Sequence, residues 1–198
     1  MTRIERKQVE NIVENFVEKL VAGKIDFASA RCDLRCALEK ARYAELGDER
    51  WLNGVLGLNT SLRCSWRYYT ARQSKASLDQ WPAQELIRVG PRQERRNWNG
   101  KEHTDANSPA EGRWPAAGGK LVNGRMVALM DDDIWYAISD FGFPFPPFAL
   151  NSGMGVRAVD RDTAIGLGLI DRDRQVLPKR LPRPNKILLL EELALADD

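Results

Sequence analysis

Apolar residues recur at helical spacing in the first part of the chain. Val9, Val13, Phe16 and Val17 fall on one stripe, and Gly23 follows the stripe. Such a repeat is typical of an amphipathic helix that ends at a glycine. Asp26 is a suitable cap for a second helix, which we expect to end near Gly47. The predicted buried face of this second helix consists of Phe27, Ala30, Leu34, Ala37, Leu38 and Ala41.

A third helix is predicted from Asp48 onward, with buried positions at alternating steps of three and four. The stripe comprises Leu52, Val55, Asn59, Leu62, Trp66, Tyr69 and Gln73. The amides of Asn59 and Gln73 must find hydrogen-bond partners on this apolar stripe or destabilise the fold. We predict that both are interface residues that fix register against another helix or chain. The alternative, in which the stripe lies near the surface and both amides meet water, stays open.

From Trp81 onward the pattern becomes that of short strands, short helices and long loops. Strands are predicted at 85–89 and 125–130, and a loop that we expect to be mobile at 97–112. Asp131 or Asp132 is expected to cap a helix that carries Ile134 and Trp135, and Asp160 to cap a last helix. The sequence therefore predicts an α+β fold. Its parts would be N-terminal amphipathic helices (1–76), a compact part (77–170), and a basic, proline-containing linker with an apolar C-terminal tail (171–198).

The segment 141–148 contains four phenylalanines and three prolines. Its prolines exclude a helix, and its apolar side chains must pack on something. We expect Phe141 and Phe148 to hold the fold, and Phe143 and Phe145 to lie nearer the surface as interface residues.

Charge and cysteine content narrow the function classes. The formal net charge is only +2, so basic residues matter locally: Arg88, Arg92, Arg95 and Arg96 are the candidates for nucleic-acid binding, and 172–186 is a second basic stretch. The charged N-terminus argues against a signal peptide, and the longest uncharged run is too short and proline-rich to span a membrane. Three cysteines suggest free thiols in a reducing compartment.

No set of residues predicts catalysis or a metal site. His103, the only histidine, lies in the predicted mobile loop, where a general base would not be held in place. Cys32 and Cys36 are spaced for one helix face rather than for zinc, and we expect the cysteines to be small buried thiols. The acidic run 131–133 is interpreted as a helix cap in preference to a divalent-ion site. We expect no cofactor.

The order of several motifs resembles the phage Mu F-like minor head proteins, over roughly residues 55–170. The motifs are Asn59 and Thr60 on a helix, the run 81–88 (WPAQELIR), Gly124 to Met126, Asp133 to Trp135, and Pro146, Pro147 and Asn151. Where members often carry a histidine and a cysteine-containing ending, this chain has Asn97 and the run 151–154 (NSGM). The resemblance therefore implies no metal or thiol role.

This resemblance implies a structural or assembly component of a phage or prophage head, located in the host cytoplasm or the virion. Its expected partners are a portal or capsid protein and, in addition, DNA or a second copy of the chain, but no membrane. Two alternatives from other classes stay open. One is a DNA-binding accessory or inhibitor protein that acts through the arginines. The other is a toxin-like or transferase-like effector, which would need a perturbed carboxylate at Glu85, Glu94 or Glu111.

Overall fold

The computed structural model of the chain describes residues 1–90, 98–100, 112–184 and 187–189. It has the predicted α+β class: N-terminal helices are followed by a four-stranded antiparallel sheet with short helices. Contacts divide the chain into a helical unit, Met1–Cys64 with Arg183–Asp198, and a sheet unit, Ser65–Pro182. The domain boundaries predicted at 76 and 170 stay predictions. No helix in the described ranges is both long and apolar enough to cross a membrane.

Capping side chains define where the helices of the helical unit begin. Helix α1 (Arg3–Val21) starts with a capping box, in which Thr2 and Glu5 bond each other's backbone N–H groups. In helix α2 (Phe27–Lys40) the carboxylate of Asp26 accepts from the N–H of Ser29 at 2.9 Å. Helix α3 (Glu49–Ala71) begins after Asp48, whose carboxylate accepts from two N–H groups of its first turn. All three predicted helices are confirmed.

The end and one face of α2 differ from prediction. The helix stops at Lys40 rather than near Gly47, because Arg42 takes a left-handed backbone conformation with φ of 66°; a 3-10 turn (Ala44–Leu46) follows. Phe27, expected on the buried face, is 40% exposed. The first residue of a helix has no preceding turn to pack against, so its side chain lies at the edge of the core.

The core of the helical unit joins α1, α2 and the start of α3 through fully buried aliphatic side chains. Ile187 and Leu189 from the C-terminal segment belong to the same core and are each 1% exposed. The predicted apolar tail therefore docks through these residues. The described part of the tail, 187–189, is neither helix nor strand.

The sheet unit is built around four strands in the order β2-β3-β1-β4. These are β1 (Ala83–Arg88), β2 (Leu121–Val122), β3 (Arg125–Leu129) and β4 (Met154–Val159). Strand β1 is central and pairs antiparallel with β3 and with all six residues of β4. Strands β1 and β3 were predicted, whereas β2 and β4 were not.

Short helices surround the sheet: α4 (Lys75–Gln80), α5 (Arg113–Ala116), α6 (Ile134–Ala137) and α7 (Arg161–Gly166). As predicted, Asp132 accepts from the N–H of Ile134 at the start of α6, and Asp160 from that of Thr163 in α7. Helices α4 and α5 were not predicted.

One face of the sheet packs on three buried aromatic side chains. Trp135 contacts Trp114 edge-on, with ring centroids 5.3 Å apart, and stacks on Phe148 at 5.9 Å. A Cβ at Gly119 would lie 2.5 Å from the Trp114 indole, so this close approach requires glycine. Trp98, which lies within the loop predicted at 97–112, is also buried in this core. Residue 97 and residues 101–111 of that loop fall outside the described residues.

Candidate functional site

Of the four arginines predicted to bind nucleic acid, the structure describes Arg88. Arg88 ends β1, and its guanidinium donates to the carbonyl oxygen of Ser152 at 2.9 Å, which ties β1 to the turn before β4. Arg92, Arg95 and Arg96 lie outside the described residues. DNA binding by this arginine set therefore stays a prediction.

A charged triad, Glu85 with Arg125 and Arg157, lies across three neighbouring strands. Glu85 is in the middle of β1, and its cross-strand partner on β4 is Arg157. Arg125 donates to both carboxylate oxygens of Glu85 at 3.0 and 2.8 Å, and Arg157 donates to one of them at 2.6 Å. The Glu85 side chain is 8% exposed, whereas that of Arg157 is 60% exposed. The triad thus fixes a buried anion and presents a guanidinium to solvent.

The triad settles the protonation state of its carboxylate. Hydrogen bonds from Arg125 lower the pKa of Glu85 most, those from Arg157 lower it further, and burial opposes them. The bond to Glu85 in turn raises the pKa of Arg125. Glu85 therefore stays ionised at neutral pH, whereas a catalytic acid needs a raised pKa. Glu94 and Glu111, the other carboxylates that the effector alternative would use, lie outside the described residues.

The phenylalanine segment forms a column of aromatic rings. Phe145 is 2% exposed and lies between Tyr69, at 5.5 Å, and Phe143, on which it stacks at 5.3 Å. The prediction that Phe145 lies near the surface was wrong, because its ring fills the space beside Tyr69. Phe148 is fully buried as predicted, while Phe141 and Phe143 are half-buried.

Asn59 on α3 and Gln73, two residues beyond the end of α3, each bond backbone groups in the C-terminal part of the same chain, although the side-chain nitrogen of Gln73 has no hydrogen-bond partner among the described residues. In the helical unit, the Asn59 amide exchanges two hydrogen bonds with the backbone of Leu188, each 2.9 Å long. In the sheet unit, Gln73 accepts from the N–H of Lys179 at 2.7 Å. Asn59 is 2% exposed, so the solvated alternative is wrong for it. The proposed contact of these residues with another chain stays a prediction.

A polar pocket of about 660 Å³ lies beside the sheet, lined in part by residues 117–120, 131–133 and 167–169. Its acidic run is already engaged: Asp132 caps α6, and Asp133 pairs with Lys179 at 2.8 Å. Within the described ranges, no three or more histidine, cysteine or acidic side chains are grouped as metal ligands. His103 lies outside these ranges. Two of the three acidic residues, Asp132 and Asp133, are therefore used for capping and ion pairing.

The cysteines are exposed, which corrects the expectation of buried thiols. Cys32, Cys36 and Cys64 are all free and exposed. The buried face of α2 consists of Ala30, Leu34 and Leu38, and the two cysteines of this helix project away from it. The alternation of apolar residues along α2 already carried this information.

Sequence reasoning missed the cationic partners of Glu85. A glutamate within a short apolar strand needs such partners, and that was the available signal. Arg125 lies on the predicted strand β3, but finding Arg157 required recognition of β4, whose apolar pattern is interrupted by Gly155 and Arg157. Comparison with known proteins adds no relatives: no family model, no curated protein and no solved structure matches the chain.

Proposed function

We propose that this chain is a non-enzymatic assembly protein of a phage or prophage head, which binds a portal or capsid protein. The resemblance to Mu F-like minor head proteins is the source of the proposal. Some of the residues that carry it lie together in the sheet unit: β1 holds most of the run 81–88, and Met126 and Trp135 pack in one core with Leu86. Asn59 and Thr60 belong to the helical unit. The residues of the sheet unit are the part of the resemblance that supports a shared fold.

The observation that carries a binding role is the aromatic column that ends at Phe143. Its ring is half-buried and stacks at an interplanar angle of 15° on Phe145. The hydroxyl of Ser139 accepts from the N–H groups of Phe141 and Phe143, at 3.3 and 3.2 Å, which holds the backbone of the segment. A partly exposed aromatic ring on a fixed backbone loses little entropy on binding and is a typical interface anchor.

A DNA-binding accessory role is the second candidate, and one observation favours it. Arg172, Arg174 and Arg180 are exposed, and in the described part of the chain none of their side chains has a hydrogen-bond or ion-pair partner. Unpaired arginines can replace counterions on phosphates, and binding of that kind weakens steeply with salt. The effector alternative has less support, because the carboxylate that the described residues bury, Glu85, is held ionised by two arginines.

The test is capture of the purified chain by the portal and major capsid proteins of the phage or prophage that encodes it, with duplex DNA offered in parallel. We expect Phe143→Ser to abolish protein capture while the melting temperature changes little. Phe141→Ser is the matched control, since Phe141 is half-buried in the same segment, and it should retain capture. Phe145→Ser should instead lower the melting temperature, because its ring is buried.

Two results would contradict the proposal. Capture that is unchanged in Phe143→Ser would remove the anchor. Binding to DNA alone, with an affinity that falls steeply as salt rises, would favour the accessory role. Changing Arg172, Arg174 and Arg180 together to Gln should then reduce the salt dependence by roughly one unit for each phosphate that the variant no longer neutralises.

A further inference from the structure

The helical unit contains a groove that holds an extended segment by its backbone. The side-chain amide of Asn59 donates to the carbonyl oxygen of Leu188 and accepts from its N–H, both at 2.9 Å. A second bond from the same nitrogen to the carbonyl of Val55, at 2.7 Å, orients the amide on α3. The Asn59 amide thus bonds both backbone polar groups of Leu188. This pairing is the same as that between two residues of neighbouring β-strands.

Side-chain alternation completes the recognition. Ile187 and Leu189 each insert into the core of the helical unit and are 1% exposed, whereas Leu188 between them is half-exposed. An extended chain places alternate side chains on opposite sides. The groove therefore selects an extended peptide with apolar residues at two positions separated by one, and its polar contact is independent of the side chain between them.

Nothing in this recognition requires the segment to come from the same chain. The groove residues on α1, α2 and α3 meet Ile187 and Leu189 through side chains, and Asn59 meets only backbone. Upstream of Ile187, Arg183 donates to the Glu18 carboxylate on α1 and Pro184 is buried, so the docked segment begins at Arg183. In the sheet unit, the carbonyl of Leu181 accepts from the Trp66 indole at 3.3 Å. Pro182 alone separates these two docked segments along the chain, and a short connection that contains proline favours exchange between copies.

We propose that the groove is a homotypic docking site, filled in one chain by its own Ile187 and Leu189 and, at high concentration, by the same segment of a second copy. Covalent linkage gives the chain's own segment a high effective concentration, so the exchanged form requires concentrated protein. A second copy is the occupant that fits best, because exchange preserves every contact of the groove. The inference is independent of the head-assembly proposal.

The test uses the full chain and a fluorescein-labelled synthetic peptide with the sequence of residues 183–198. In Leu188→Pro the N–H that donates to Asn59 is gone, although proline accepts an extended backbone. Leu188→Ala is the matched control, because it keeps that N–H and changes only the half-exposed side chain. We expect the peptide to bind Leu188→Pro at least about tenfold more tightly than wild type, since the competing segment is weakened. Leu188→Ala should bind it like wild type.

The same variants give two further readouts. Excess peptide should raise the melting temperature of Leu188→Pro, or restore its helical circular dichroism if it is unfolded alone, and Asn59→Leu in that background should prevent both effects. Wild-type protein refolded at high concentration should contain a dimer in light scattering that Leu188→Pro lacks. A peptide that neither binds nor stabilises Leu188→Pro would overturn the proposal, as would refolded wild type that stays monomeric at every concentration.

Discussion

The helical unit and the sheet unit each bury one charge between two partners of opposite sign, but the signs are reversed. In the helical unit Arg63, 3% exposed, donates to Glu14 at 2.8 Å and Glu18 at 3.0 Å. In the sheet unit the buried residue is the carboxylate of Glu85, between Arg125 and Arg157. Among the described residues these two are the buried charged side chains.

The two clusters differ in whether water can solvate the charge that remains when one partner is removed. Glu14 and Glu18 are 37% and 39% exposed, so water can solvate them without Arg63. Glu85 depends more on Arg125, which bonds both of its oxygens, than on the more exposed Arg157. A buried charge left without a partner is costly, whereas an exposed one is not. The loss in free energy of unfolding should therefore be larger when the charged group that remains is more deeply buried.

The largest effect is expected for Arg125→Met, which leaves Glu85 buried with one monodentate partner. We expect the free energy of unfolding to fall by about 3 kcal/mol, as for a broken buried ion pair. Arg157→Met is the matched control, and its cost should be below about 1 kcal/mol because Arg157 is largely exposed. Urea unfolding of both variants measures the difference. Equal losses would show that the bidentate bond does not dominate the triad.

A smaller effect is expected for Arg63→Met in the helical unit. This change removes the buried charge itself; Glu14 returns to water, and Glu18 keeps its ion pair with Arg183. We expect a loss of about 1 kcal/mol, since an apolar side chain replaces the buried cation. The same urea titration measures it. A loss as large as that of Arg125→Met would show that burial of the remaining group does not decide the cost.

The smallest expected effect is a pH dependence of the free energy of unfolding that arises from Glu85. The pKa of Glu85 is lower in the folded chain than in the unfolded chain, so the unfolded chain binds more protons in acid. The stabilisation from Glu85 is complete above its unfolded pKa of about 4.3. It declines as pH falls below that value and through the folded pKa. We expect the difference in stability between wild type and Glu85→Gln to shrink as pH falls below about 4.3. Parallel curves would contradict the role of the carboxylate.

Capping residues and apolar spacing correctly predicted the helices whose ends and buried faces depend on residues close by in the sequence. Asp26, Asp48 and Asp160 each cap the helix that follows them, and the apolar stripe of α1 is buried as its spacing predicts. Strand β4 escaped prediction because Gly155 and Arg157 interrupt its apolar alternation. Both residues are explained only by their neighbours across the sheet: Val89 lies against Gly155, and Glu85 against Arg157.

The candidate sites depended more strongly on long-range contacts. The sequence indicated that Asn59 and Gln73 need partners, but those partners are backbone groups of Leu188 and Lys179, more than one hundred residues away along the chain. Backbone groups have no sequence signature, so no spacing rule could identify them. The burial of Phe145 likewise depends on Tyr69, which belongs to a different element.

The Trp114 and Trp135 pair has a spectroscopic consequence. Their rings lie edge-on at 5.3 Å with an interplanar angle of 64°. Indole transitions at that separation couple and produce a circular dichroism signal that vanishes when the rings separate. Of the six tryptophans, Trp51 alone lies outside residues 65–182. Near-ultraviolet dichroism and indole emission therefore report mainly on the sheet unit. Far-ultraviolet dichroism is dominated by helices, and α1, α2 and most of α3 belong to the helical unit. Comparing the two signals in one sample therefore tests whether the two units unfold together.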